Sequence, residues 1–223
     1  MTPSAFRQLA AKVGLTRYPV LSAASSTNRG GTVASANVSQ VLMPANAARA
    51  GIVFQNNSPW PIGLNLIGGI AACGSGSVSA PGAGIGSLFI PPGRTFTSDP
   101  LAVSASQITV ACQRGTAAFG CTEYTSASGQ AFAKTAIGRS STITYGGVSQ
   151  ALFAANTSRK GFIFQNLSKF PMFVQEVVSG ALTGSSRKVL PYEIIGAQKF
   201  GTSTSAFSVI CRGAGNGFTA LEY

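Results

Sequence analysis

The side chains able to do chemistry in this 223-residue chain are few, and their types exclude most kinds of active site. The chain has no His, five Asp and Glu residues, and four Cys. Without His it lacks the usual general acid or base near neutral pH and the commonest metal ligand. Five acidic residues also disfavour carboxylate metal cages and hydrolysis by paired carboxylates. We therefore expect no enzyme: no catalytic residue, no metal site, no cofactor and no small-molecule substrate.

Two arginines and two glutamates occupy matching positions and are the main candidates for a polar site. Arg49 and Arg159 each precede a segment that ends in Phe-Gln-Asn, and Glu123 and Glu222 are each followed by Tyr. The arginines either form a ligand site that is used twice or donate to loop carbonyls at strand edges. Because an ionised Glu accepts hydrogen bonds from a guanidinium, we expect Glu123 to pair with Arg49, and Glu222 with Arg159.

Two turn sequences place further polar and aromatic side chains in matching positions. Residues 56–58 and 166–168 fit the N-glycosylation pattern Asn-x-Ser. We expect their Asn side chains to cap turns instead, because the Asn oxygen can accept a bond from the backbone two residues on. Trp60 and Phe170 follow these turns. If exposed, both rings would offer a carbohydrate a flat surface on which to stack.

The elements that position these side chains occur twice, because the chain contains an internal repeat. Residues 38–61 match residues 148–171 at thirteen of 24 positions without a gap, at an offset of 110. Near the end of each copy the offset falls to 99, where Glu123 matches Glu222. The first copy therefore carries eleven extra residues, which we place in the Gly- and Ser-rich stretch 68–87 as a surface loop. The sequence thus predicts two copies of one fold.

The periodicity within each copy is that of strands. Six or so short segments per copy alternate between two faces and are separated by Gly and Pro, which predicts a compact antiparallel sandwich or barrel. We therefore predict an all-β protein of two tandem homologous antiparallel β-sandwich or barrel domains, with a short basic N-terminal arm or helix. The predicted boundaries are 1–30 for the arm, 31–124 for the first domain, 125–141 for a linker and 142–223 for the second domain.

The cysteines are expected to be free thiols. Cys112 and Cys211 are equivalent positions of the repeat, which favours a buried core position in both domains. A disulfide between Cys112 and Cys121, or between Cys73 and a neighbouring chain, stays open. Synthesis in a cytoplasm favours reduced thiols, and the absence of a Cys-x-x-Cys spacing argues against zinc.

The formal net charge of +11 and the basic N-terminal residues bear on possible partners. Arg7, Lys12 and Arg17 interrupt each apolar stretch, so we expect no export signal there. The segment is a short surface helix, a flexible arm, or a basic arm that docks on a neighbouring subunit or, less readily, a membrane surface. Folded chains of this mass expose roughly 9,500 Å², about 860 Å² per net charge. That density favours acidic protein surfaces over nucleic acid, whose contacts concentrate in roughly 1,000–2,500 Å².

The repeated motif resembles a segment of small β-domain proteins encoded among the virion genes of tailed bacteriophages. It spans residues 45–58 and is echoed by residues 155–168. In those proteins Asn-x-x-Arg-x-x-(apolar)-x-Gln-Asn-x-Ser precedes a strand pair, a Pro-Gly turn follows, and a Glu lies close to the end of the domain. The Pro-Gly pair at 92–93 and Glu123 fit this pattern, whereas the second copy has Tyr192 in place of Gly. The resemblance covers both copies but not the N-terminal arm.

The resemblance implies a non-enzymatic structural component such as a capsid decoration or cement protein, a head fibre, or a neck or tail part. We therefore expect a virion protein, made in the host cytoplasm, that binds phage capsid or neck proteins through β-domain surfaces. We also expect a homo-oligomer with no membrane partner. The alternatives are a carbohydrate-binding module of a phage tail or fibre and, as a minor one, a nucleic-acid-binding protein. The candidate binding residues are Arg49, Arg159, Trp60, Phe170, Arg7, Lys12 and Arg17.

Overall fold

The structure is a computed structural model that describes residues 23–73, 87–98, 103–126, 136–176, 186–196 and 203–223. In these residues all regular secondary structure is β, which confirms the predicted class. No helix among them is long and apolar enough to cross a membrane. The strands are β1 (Ala23–Asn28), β2 (Gly31–Val33), β3 (Gln40–Met43), β4 (Arg49–Asn56), β5 (Ile62–Asn65), β6 (Ser87–Ile90), β7 (Thr95–Thr97), β8 (Ile108–Cys112), β9 (Ala117–Ser126), β10 (Ile137–Gly138), β11 (Ser141–Thr142), β12 (Gln150–Phe153), β13 (Phe162–Asn166), β14 (Met172–Gln175), β15 (Arg187–Val189), β16 (Ile194–Gly196), β17 (Phe207–Cys211) and β18 (Gly217–Glu222).

The first unit (β1–β9) and the second unit (β10–β18) have the same topology, strand for strand. In the first unit one sheet has the order β1-β9-β4-β7, with β2 also paired to β9, and the other has the order β3-β8-β5-β6. In the second unit the orders are β10-β18-β13-β16, with β11 paired to β18, and β12-β17-β14-β15. All pairings are antiparallel. Four antiparallel sheets in two equivalent pairs are the predicted tandem sandwiches.

Apolar side chains from both sheets of a unit meet in one core. On β4, Ile52 and Phe54 are buried in this core, and the Phe54 ring stacks on Phe119 of β9 with 5.4 Å between centroids. In the second unit Phe164 of β13 meets Phe218 of β18 at 5.5 Å. Each fully buried Phe contributes roughly 1.5–3 kcal/mol. The apolar residues of these strands therefore fix which face of each sheet turns inward.

Three turns adopt the left-handed backbone region at equivalent positions in both units. Asn37 (φ 57°) corresponds to Gly147 (φ 73°), Thr116 (φ 62°) to Gly215 (φ 73°), and Tyr192 (φ 61°) to Gly93 (φ 69°). A side chain in this region costs roughly 1–2 kcal/mol relative to Gly. The backbone path is thus the same in both units although the residue types differ. Tyr192 adopts the turn that the resemblance assigns to Gly.

Two strands lie outside the predicted domain boundaries. β1 lies in the segment predicted as the arm, and β10 lies in the predicted linker; they pair with β9 and β18 and extend equivalent sheets. β5 ends at Asn65. The reason is that Asn65 Oδ1 accepts hydrogen bonds from the backbone N–H groups of Ile67 (3.0 Å) and Gly69 (3.1 Å), which turns the chain.

Candidate functional site

A buried ion pair stands at the centre of a hydrogen-bonded cluster in the first unit. Arg49 is 0% and Glu123 is 1% exposed, and Arg49 Nε lies 2.9 Å from Glu123 Oε1. The other guanidinium nitrogens of Arg49 donate to backbone carbonyls of Pro44, Ser104 and Ser106. The arginine therefore ties the start of β4 to two loops and to the end of β9.

The second unit contains the same cluster. Arg159 Nε lies 2.9 Å from Glu222 Oε1, and its other nitrogens donate to the carbonyls of Ala154, Ser203 and Ser205. The Arg–Glu pairing predicted from the sequence is thus confirmed in both units. From the sequence, the arginines either form a ligand site or donate to loop carbonyls. The structure shows the second arrangement, because both guanidinium groups are buried among protein acceptors.

Four further members of the clusters are missed by the sequence analysis. Asn46 donates to the first buried glutamate at 3.1 Å, and Arg29 donates to its other oxygen at 2.9 Å. Asn156 and Arg139 do the same for the second, at 3.0 and 3.2 Å. Arg29 and Arg139 are 110 residues apart, the same offset as the repeat. Extending the alignment of the two copies towards the N-terminus would therefore have identified both residues.

Both clusters hold their glutamate in the charged form. Burial alone would raise the pKa of Glu123, but hydrogen bonds from Asn46, Arg29 and Arg49 outweigh it, and the pKa lies below its usual value. The pKa of Glu222 is also lowered, again against the effect of burial, by hydrogen bonds from the corresponding Asn and Arg residues. These carboxylates hold no proton to donate and already accept from several protein donors. We interpret both clusters as architectural rather than catalytic.

The Asn-x-Ser sequences form turns, as predicted. Asn56 Oδ1 accepts bonds from the backbone N–H (2.9 Å) and the hydroxyl (2.8 Å) of Ser58. Its Nδ2 donates to the carbonyls of Trp60 and Ile90, at 2.8 and 2.9 Å. Asn166 makes the equivalent four bonds in the second unit. A buried Nδ2 that donates twice is not accessible to a glycan-transferring enzyme.

Each unit exposes one aromatic ring beside this turn. Trp60 is 46% and Phe170 is 44% exposed. The Arg114 guanidinium carbon lies 5.2 Å from the Trp60 ring centroid, and Lys169 Nζ lies 5.6 Å from that of Phe170. In each unit a cation therefore lies over one face of the exposed ring. The other candidate binding residues, Arg7, Lys12 and Arg17, lie outside the described residues.

All four cysteines are buried free thiols, so the disulfide between Cys112 and Cys121 considered from the sequence is not formed. Cys112 and Cys211 are both 0% exposed, which confirms their predicted place in the core. Burial raises the pKa of Cys73 to about 11 and that of Cys121 to about 12. Within the described ranges no group of three or more His, Cys, Asp or Glu side chains is placed to hold a metal ion.

The two units contact each other through one sheet face of the second and an edge strand of the first. Gln165 of β13 exchanges two hydrogen bonds with the backbone of Phe89 in β6: Nε2 donates to the carbonyl at 2.6 Å, and Oε1 accepts from the N–H at 2.7 Å. Thr219 of β18 donates to the carbonyl of Ser87 at 2.6 Å. Leu221, on the same strand, packs into the hydrophobic cluster of the first unit.

Among the described residues, none covers the equivalent sheet face of the first unit in this way. β13 and β18 are buried along their whole lengths, whereas β4 and β9 alternate between buried and more exposed residues. Gln55, the repeat equivalent of Gln165, is exposed. An open depression on this surface, which we call the open face, is lined by Ser26, Asn28, Val53, Gln55, Gly120, Cys121 and Thr122.

Comparison with known proteins gives little further information. No protein-family model and no curated protein matches the chain. Among solved structures it is similar to a chain in the X-ray structure of the entire lipid-containing bacteriophage PM2, with 9% identity and a TM-score of 0.26 over 85% of this chain and 49% of that one. It is also similar to the stem and receptor-binding domain of spike protein P1 from bacteriophage PM2, with 7% identity and a TM-score of 0.26 over 92% of this chain and 99% of that one. At these values neither similarity bears on what this chain does.

Proposed function

We propose that the chain is a non-enzymatic structural component of a phage virion that binds capsid or neck proteins through surfaces of its β-units, as a decoration or cement protein does. The observation that carries the proposal is the pair of equivalent sheet faces. One of them already binds protein within the chain, and the other is open. The sequence resemblance to virion proteins of tailed phages supplies the context.

The distribution of polar groups supports binding over catalysis. Four of the five acidic residues fall in the described ranges; Glu123 and Glu222 are buried in ion pairs, and Glu193 lies 3.9 Å from Arg187. The fourth, Glu176, accepts a hydrogen bond from Ser203. Each of these carboxylates therefore has a protein partner.

The open face itself suits protein contact. Its lining is small or neutral, with Ser, Asn, Gly, Cys, Thr, Val and Gln side chains and no charged group. Small side chains lose little rotamer freedom on binding, so a rigid partner surface is bound at low entropic cost. The net charge of +11 additionally favours acidic partner surfaces at the approach stage.

The proposal is tested by locating the protein. Particles purified by density gradient should contain many copies, seen by quantitative mass spectrometry and as density on the head or neck in cryo-electron microscopy. Washing the particles in high salt should release the protein only partly if sheet-face contacts dominate, since screening weakens charge pairs and not contacts between neutral groups. Detection of the protein in infected-cell lysate but never in particles would refute the proposal.

A second candidate function is carbohydrate binding at a tail or fibre, which is favoured by the exposure of Trp60 and Phe170 at equivalent turns. Glycan-array binding that is lost in Trp60→Ala and kept in the control Tyr145→Ala, whose ring is also exposed, would support it. Nucleic-acid binding stays a minor alternative. Arg49 and Arg159 are buried in ion pairs and do not reach phosphate, and Arg29 and Arg139 are each already paired with a glutamate.

A further inference from the structure

The second unit shows what this kind of sheet face binds. The Gln165 side-chain amide both donates to and accepts from the backbone of Phe89 in β6. A neighbouring strand would make the same pair of hydrogen bonds to that residue. β6 is the last strand of its sheet, and edge strands leave a row of N–H and C=O groups unpaired. The amide satisfies one such pair of groups.

The first unit carries the same glutamine with no such contact. Gln55 matches Gln165 at the offset of 110 and lies on the open face. Its flanking residues also correspond: Val53 to Ile163, and Thr122 of β9 to Leu221 of β18. Gln55 forms no side-chain hydrogen bond with the rest of the described chain.

An equivalent of β6 is available on the second unit. β15 has the position of β6 in its sheet and is likewise the last strand of the order. Lys188 pairs with Phe173 in the register in which Phe89 pairs with Gly63, so Lys188 is the structural counterpart of Phe89. The Lys188 side chain is exposed.

We propose that the open face of one copy of this chain binds β15 of a second copy, with the Gln55 amide donating to and accepting from the backbone of Lys188. The contact would repeat between chains the one that Gln165 and Phe89 make within the chain. It rests on the proposed function only in that the open face binds protein.

The contact between copies is weaker than the one within the chain. Thr219 donates a hydrogen bond to the Ser87 carbonyl in the observed interface, but the first unit has Gly120 at the position of Thr219. One hydrogen bond is therefore missing between copies. The smaller residue also leaves more room on the open face, which reduces the area buried.

An aromatic contact is missing as well. In the chain the Phe89 ring lies 5.3 Å from the Tyr192 ring. Between copies the corresponding residues are Lys188 and Gly93, which form no ring pair. We therefore expect reversible association that depends on protein concentration, with the amide contact contributing a large share of its specificity.

The symmetry of the contact follows from its two different surfaces. The open face lies on the first unit and the outer edge of β15 on the second, so the interface is heterologous. After two copies pair through one such contact, the dimer still carries one open face and one further β15 edge. Such copies form a closed ring if the rotation between them divides a full turn, and a filament if it does not.

The first test is sedimentation velocity of the full chain over a wide concentration range. The unaltered protein should show mass increasing with concentration. Gln55→Ala should weaken the association roughly 5- to 100-fold, because two hydrogen bonds of ordinary strength are lost. The control Val41→Ala, exposed on β3 in the other sheet of the same unit, should leave the association unchanged.

A charge exchange identifies the partner strand. Gln55→Lys places a second cation opposite Lys188, so it should abolish association at low salt. Adding Lys188→Glu to the same chain should restore much of it, because every contact then pairs Lys with Glu. Circular dichroism and Trp60 fluorescence confirm that each variant is folded.

The outcomes separate this inference from the proposed function. A protein that stays monomeric at all concentrations, or that associates equally well in Gln55→Ala and Val41→Ala, overturns the inference. Failure of Lys188→Glu to restore association overturns the assignment of β15, and with it the proposal. If such a protein is nevertheless found in purified particles, the proposed function stands. If self-association follows the predicted pattern but the protein is absent from particles, only the proposed function fails.

Discussion

Replacing the buried glutamate of the first unit by its amide should destabilise that unit strongly. Glu123→Gln keeps the shape of the side chain but removes the charge that balances Arg49, which is 0% exposed. It also replaces one accepting oxygen by a donor, which then faces the N–H groups of Arg29, Asn46 or Arg49. Breaking a buried ion pair by removing one partner costs roughly 3–5 kcal/mol. We expect a loss in that range for the free energy of unfolding.

The assay uses the single Trp of the chain. Trp60 lies in the first unit, so its fluorescence during urea titration reports the unfolding of the unit that carries Glu123. The matched control is Glu193→Gln in the second unit, so circular dichroism, which reports both units, is recorded alongside Trp60 fluorescence for every variant. Glu193 and Arg187 are 28% and 31% exposed and 3.9 Å apart, so the loss of this ion pair should cost less than about 1 kcal/mol.

The pH dependence gives a second, independent readout. The pKa of Glu123 is lowered in the folded protein, so the contribution of the pair is complete above the unfolded pKa of roughly 4.3 and is lost as the pH falls through the lower folded value. The difference in free energy of unfolding between the unaltered protein and Glu123→Gln should therefore be largest near pH 7 and shrink below about pH 4. A loss at pH 7 no larger than that of Glu193→Gln would refute the reasoning.

Three further predictions concern other parts of the molecule. Thr116→Gly should raise the free energy of unfolding by roughly 0.5–1 kcal/mol in urea titration, because it relieves a left-handed Thr, whereas Gly215→Ala should lower it by about 1 kcal/mol or more. Gln165→Ala should lower the free energy of unfolding of dilute protein by roughly 1–3 kcal/mol through loss of the Phe89 contact, whereas the matched Gln55→Ala should change it by less than about 0.5 kcal/mol. Equal effects would contradict the assignment of one covered and one open face. The four buried thiols should be unreactive to a thiol-specific chromogenic reagent in native protein at pH 8 and all react in denaturant, and fast labelling of the native protein would disagree with the raised pKa values of Cys73 and Cys121.

Much of the fold is predictable because local sequence patterns report it directly. Alternating apolar residues predict strands, and the offset of 110 predicts that Arg49 and Arg159 have equivalent surroundings. The pairing of Glu123 with Arg49 follows from the chemistry of two complementary groups in one unit. The strand count, by contrast, is underestimated, because short edge strands such as β2 and β11 carry no periodic signal of their own.

The neighbours of the buried pairs depend on distant parts of the chain. Arg29 reaches Glu123 only because β1 and β2 pair with β9, which brings residues 94 positions apart into contact. The sequence alone leaves the segment around Arg29 as an arm. Pairing of an edge strand is decided by backbone groups, which every residue carries, so side-chain patterns contain little information about it.

By itself the sequence determined that the chain is a duplicated, all-β protein with one Arg–Glu pair per unit. These properties follow from the alternation of apolar residues, the internal repeat and the opposite charges of Arg and Glu. Only the tertiary structure decided which of two equivalent surfaces is covered. Gln55 and Gln165 lie in the same Phe-Gln-Asn motif, yet Gln165 is buried against β6 and Gln55 is exposed. The physical reason is that docking depends on the sum of many contacts between residues far apart in the chain, and no local pattern encodes that sum.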